Sequence, residues 1–134
     1  MLKEVINDRK VTFIYWKMER ALDEKEGERF FQDVLREYGY RIDRVVLING
    51  WRYGEKKYGD LIDVLNEVNP KEKKSSHGVP MFSIVGFGKE SRIRGPPRNP
   101  YEDKYEKMYR PLIESALDWF EARKRESFLP SRQN

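Results

Sequence analysis

Cysteine does not occur in the 134 residues, and histidine occurs once, as His77. The first absence excludes a disulfide framework, thiolate catalysis, iron–sulfur ligation and cysteine-based zinc sites. The second excludes a multi-histidine metal site within one chain. No apolar run approaches the roughly 20 residues that span a bilayer. The opening MLKEVINDRK places charges where a signal peptide needs an apolar core. A soluble, cytoplasmic protein without membrane contact is therefore expected. Glutamine is scarce beside abundant Glu, Lys and Arg, which fits a thermophilic source.

What is present is charge and aromatic bulk. Charged residues make up 37% of the chain, and its hydrophobic runs draw on Val, Ile, Phe and Tyr, the alphabet of a folded, heavily solvated domain. The length fits one domain over residues 1–134, with 129–134 as a flexible tail, so one site is sought. The net charge of +4 is a modest basic bias whose distribution matters more than its sum.

Leu2, Val5 and Ile6 share a helical face. The run from Val11 to Trp16 is continuously β-branched and aromatic, as in a strand buried on both faces. Asp23 and Glu26 form a possible capping box for a helix from about Glu24 to Tyr38, with Gly39 where a left-handed C-cap residue belongs. Arg44–Ile48 is a second short strand. Tyr58, Leu61, Ile62, Leu65 and Val68 mark a helix that stops at Asn69-Pro70. A basic linker from Lys71 to Gly78 leads to a third strand, Val79–Val85. Gly88 to Arg98 reads as a long cationic loop. Asn99 as N-cap with Pro100 at the first helical position opens the last helix, in which Pro111 predicts a kink or a break.

Three apolar strands each followed by a helix predict an α/β fold: a small parallel sheet of three or more strands with helices on both faces, Rossmann-like or flavodoxin-like. In such sheets ligands bind beyond the carboxyl ends of the strands. All three strand ends then meet on one rim. There Lys17, Arg52, Lys89, Arg92, Arg94 and Arg98 are candidate phosphate ligands, Trp16, Trp51 and Tyr53 candidate stacking residues, and Gly86 and Gly88 candidate backbone anion-binding positions. The stretch Gly86-Phe87-Gly88-Lys89-Glu90-Ser91 does not match a nucleoside-triphosphate loop: the spacing is wrong and Glu90 stands where a hydroxyl residue is needed. His77 beside Ser75 and Ser76 lacks a nucleophile elbow. No metal site is expected, since Glu19 and Glu90 have no further acids beside them.

From Val45 to Gly88 the sequence resembles the middle of flavodoxin-like proteins: an apolar strand, a loop with Tyr-Gly, a helix, a basic turn and a second apolar strand ending in glycine. That resemblance implies FMN held at these loops, with Trp51, Tyr53 and Gly54 on one side and Gly86 to Gly88 on the other. After the first strand, however, Trp16-Lys17-Met18-Glu19 replaces the Ser/Thr-rich phosphate loop of that family. The residues themselves favour a nucleic-acid- or nucleotide-binding module, with any catalysis left open. The alternatives are an FMN-binding redox protein, or an assembly protein that pairs as a homodimer through the aromatic last helix around Tyr105, Tyr109, Trp119 and Phe120.

Overall fold

The computed structural model describes residues 2–17, 24–48, 56–72, 81–94 and 100–128. Its elements in order are helix α1 (Leu2–Asn7), strand β1 (Thr12–Trp16), helix α2 (Glu24–Tyr38), strand β2 (Arg44–Ile48), helix α3 (Lys56–Val68), strands β3 (Met81–Gly86) and β4 (Lys89–Arg94), a short helix α4 (Tyr101–Lys104), a π-helical stretch (Tyr105–Tyr109) and helix α5 (Arg110–Phe128).

The four strands form one sheet in the order β2-β1-β3-β4. Only β1 and β2 are parallel; β3 runs antiparallel to β1, and β4 antiparallel to β3. The fold is therefore mixed α/β, a βαβ unit joined through α3 to a ββα unit, and the expected parallel, Rossmann-like or flavodoxin-like sheet is corrected. The expectation fails at β3. Its connection from β2 is long enough for a parallel crossover, but the chain enters the sheet from the opposite end. The register shows this directly: Trp16 stands beside Ile48 on one side and Met81 on the other, with Arg94 beyond Met81. The start of β3 and the end of β1 share an edge.

The fourth strand is hidden in a sequence, Lys-Glu-Ser-Arg-Ile-Arg, that looks like a solvated loop. It pairs along its whole length with β3 through a two-residue turn, Phe87-Gly88. Both turn residues have positive φ, 52° and 77°, the left-handed backbone that matches the twist of a tight hairpin.

Helices cover both faces. On one, Phe13 and Tyr15 of β1, Phe82 and Ile84 of β3 and Ile93 of β4 pack against Phe30 and Val34 of α2 and against Tyr105, Ile113, Leu117 and Phe120 from the C-terminal helical region. Phe82 lies between the rings of Phe13 and Tyr15, with centroids 5.8 and 4.7 Å away. On the other face, Ile14, Trp16 and Val85 pack against Ile6 of α1 and Ile62 and Leu65 of α3. As expected for a central strand, every residue of β1 is buried. Edge strand β2 alternates, leaving Val45 and Leu47 exposed.

The ends of the helices differ from the sequence reading in three places. Gly39 does not adopt the left-handed conformation; it opens a 3-10 turn, Gly39–Arg41, whose carbonyl at Gly39 accepts from the Ile42 amide. The last helical region begins at Tyr101, with Pro100 in the cap position and no side-chain cap; Asn99 lies outside the described residues. The disturbance expected at Pro111 comes one turn earlier, as the wide turn Tyr105–Tyr109, in which the Arg110 amide donates to the Tyr105 carbonyl. A proline has no amide to give the preceding turn, and one extra residue per turn absorbs the mismatch.

Candidate functional site

Because β3 runs against β1 and β4 returns alongside it, the expected rim divides between the two ends of the sheet. Lys17 and Arg94 stand at the Trp16 end; Gly86, Gly88 and Lys89 stand at the other, beyond the row of Thr12, Val85 and Glu90. Arg52, Arg98, Trp51, Tyr53 and Gly54 lie outside the described residues, as do Met18, Glu19 and His77. The basic turn before β3, expected at the edge away from the rim, instead begins at the Trp16 end, where Glu72 meets Arg94.

At the Trp16 end the side chains are occupied. Trp16 is fully buried, and its indole Nε1 donates to Ser83 Oγ at 3.2 Å. Lys17 Nζ lies 2.6 Å from Glu28 and 3.8 Å from Glu24. Arg94 donates to the Glu72 carboxylate at 2.8 and 3.0 Å. Arg92 is buried in a two-pronged pair with Glu90, both bonds at 2.9 Å, and its remaining nitrogen donates to Asn66 at 3.0 Å. Glu90 also accepts from Ser83 at 2.7 Å and from Asn69 at 3.3 Å. This network explains how a strand with an acid and an arginine on its inner face can be buried: each charge finds its partner on the same strand.

The hairpin end is different. An open pocket of about 790 Å³ lies there, walled by Asn7 and Arg9 beside the end of α1, by Phe87, Gly88 and Lys89 of the hairpin, and by Trp119, Arg123 and Glu126 of α5. Three cations thus face one carboxylate. The Lys89 ammonium sits 4.2 Å from the centre of the Trp119 ring and the Arg123 guanidinium 4.8 Å from it. Arg123 also pairs with Glu126 at 3.0 Å. Neither Arg9 nor Lys89 has an ion-pair partner among the described residues, and both are exposed. Two acids of the adjoining segments are engaged with other cations: Asp8 with Arg44 at 3.1 Å, Asp43 with Lys124 at 2.5 Å. Burial pushes the Asp43 carboxyl upward, but Lys124 and the Val11 amide, 2.7 Å away, outweigh it and hold the group below its ordinary range.

The hairpin is locked to the N-terminal segment. The Phe87 amide donates to the Asp8 carbonyl and the Gly88 amide to the Ile6 carbonyl, each at 2.9 Å. The Gly88 amide, expected to serve an anion, is therefore spent within the fold. Gly86 is required for another reason: a Cβ there would run into the backbone carbonyl of Lys10.

Sequence reasoning places Lys89 and Gly88 at the site and misses Arg9, Trp119 and Arg123. The available clue is the run Trp119 to Arg125, which brings a tryptophan and three cations onto two turns of helix. The aromatic side chains expected to pair two subunits are largely consumed within one: Tyr105 and Phe120 are buried, and the Tyr109 ring meets Phe30 edge-on at 5.5 Å. Among the described residues no group of three or more His, Asp or Glu side chains could hold a metal ion, and no helix is long and apolar enough to cross a membrane.

A mixed α/β domain with one cationic, aromatic end is the class that fold and site define. Compared with known proteins, the chain matches no protein-family model and no curated protein.

Proposed function

We propose that this domain binds a phosphate-bearing ligand, a nucleic acid or nucleotide, at the hairpin end of the sheet. The observation that carries the reading is the pair Arg9 and Lys89: two exposed cations without carboxylate partners among the described residues, set around an indole in an open pocket. Many of the described lysines and arginines are neutralised at close range, as Arg92, Arg94, Arg110 and Lys124 are, so cations left unpaired beside one another create a positive field. Arginine and lysine suit phosphate oxygens, and an indole suits a base. The flavin reading leaned on a parallel sheet that is not present, and it is not carried forward.

Fluorescence anisotropy with a labelled oligonucleotide and with a labelled nucleotide tests the proposal. Binding is expected to weaken steeply with salt, and Lys89→Ala or Arg9→Ala to lower both the affinity and the salt slope, by roughly 0.7 to 0.9 for each phosphate that the variant leaves unneutralised. Lys17→Ala and Arg94→Ala, whose cations are paired at the opposite end, are expected to change neither. Binding that ignores salt, or that ignores Lys89 and Arg9, rejects the proposal.

A further inference from the structure

Resting on the reading above, we infer that the ligand is single-stranded nucleic acid, one of whose unpaired bases takes the place of a cation on the Trp119 ring. Lys89 stands 4.2 Å and Arg123 4.8 Å from the centre of the indole. The ring itself is half-buried where it packs against the hydrophobic core, with Phe120 edge-on at 5.2 Å. An exposed cation over an indole is weakly held, more weakly than a base stacked on the same ring. A base therefore displaces the cation, and the displaced charge lies next to the phosphate of the nucleotide that displaced it. Stacking and neutralisation become one event.

Two features favour a strand over other phosphate ligands. The pocket opens broadly to solvent, whereas sites for free nucleotides enclose most of their ligand. Its cations come from three separated segments around one ring, Arg9, Lys89 and Arg123, which suits successive phosphates on either side of a single base. A duplex keeps its bases paired and offers no free face to the indole. Glu126, bonded to Arg123 at 3.0 Å, holds that guanidinium until a phosphate competes for it.

The test compares a single-stranded oligonucleotide, its duplex, a nucleoside triphosphate and inorganic polyphosphate against the full chain and Trp119→Leu. The wild type is expected to prefer the single strand. The variant is expected to lose about 5- to 150-fold in affinity for it, the range for one base stacked on one aromatic ring, while still binding polyphosphate as the wild type does; that retained binding also reports that the variant is folded. If Trp119→Leu fails to fold, Trp119→Phe with the same four ligands replaces it, with a smaller but same-direction loss expected. Equal affinity for strand, duplex and polyphosphate, or a triphosphate bound as tightly as the strand, overturns the single-strand inference and leaves phosphate binding standing. Binding of none of the four overturns both.

Discussion

Glu90 and Arg92, two residues apart on β4, close a two-pronged ion pair whose side chains are wholly sealed from solvent. Removing one partner leaves the other charge buried and alone. Arg92→Ala is expected to cost about 3–5 kcal/mol of stability, read from urea unfolding. The double variant with Glu90→Ala is expected to lose less than the sum of the single variants, because the two charges share one network. Additive losses would show that the pair does not act as a unit.

The Asp43 carboxyl contributes to the acid side of the stability profile. Its pKa is depressed in the folded state from an ordinary 3.8, so the unfolded chain binds the proton more readily. The contribution is fully present above the unfolded value and is lost as pH falls through the lower, folded value. Asp43→Asn is expected to flatten the loss of stability below about pH 4, measured by thermal melting across a pH series; an unchanged acid limb contradicts this.

Tyr15 and Tyr105 carry buried hydroxyls without hydrogen-bond partners among the described residues. Burial first, then neighbouring acids, Glu28 for Tyr15 and Glu37 for Tyr105, keep both phenols neutral far into the alkaline range. Deleting an unsatisfied buried hydroxyl removes a desolvation cost without opening a large cavity. Tyr15→Phe and Tyr105→Phe are each expected to raise stability by roughly 1 kcal/mol. A loss in either variant would mean that the hydroxyl has a partner.

The hairpin turn tolerates substitution unequally. Gly88 has φ of 77°, and a Cβ there would meet Asn7 Oδ1 at 3.5 Å, an ordinary packing distance, so Gly88→Ala is expected to cost about 1 kcal/mol for the backbone alone. Gly86→Ala drives a methyl into the Lys10 carbonyl and is expected to cost more. Unfolding midpoints in the reverse order would contradict the packing described.

Tryptophan emission reports the site without a label. Trp119 faces the pocket, whereas Trp16 is sealed against Ser83. A ligand-induced change in emission is expected to survive Trp16→Phe and Trp51→Phe and to vanish in Trp119→Phe. Survival of the change in Trp119→Phe would place the ligand elsewhere.

Local signals in the sequence are legible where one physical effect dominates. The unbroken β-branched and aromatic run marks β1, and the spacing of Phe30, Val34 and Tyr38 marks α2 with the bounds observed. The direction of β3 is not legible, because the length of the connection before it permits either sense. Nor is β4: its inward-facing positions include Glu90 and Arg92, whose burial depends on each other rather than on apolar character. From that one reversal follows the division of the expected rim. Lys89 keeps its place beside the pocket, while Arg92 and Arg94 are engaged with Glu90 and Glu72.

The pocket draws its walls from residues near 7, near 88 and near 120, and the amides of the hairpin are tied to carbonyls of the N-terminal segment. During biosynthesis, then, the site is completed late. A ribosome-bound chain that has completed its sheet still lacks the indole and the arginine of α5, so recognition begins only when the final helix has docked.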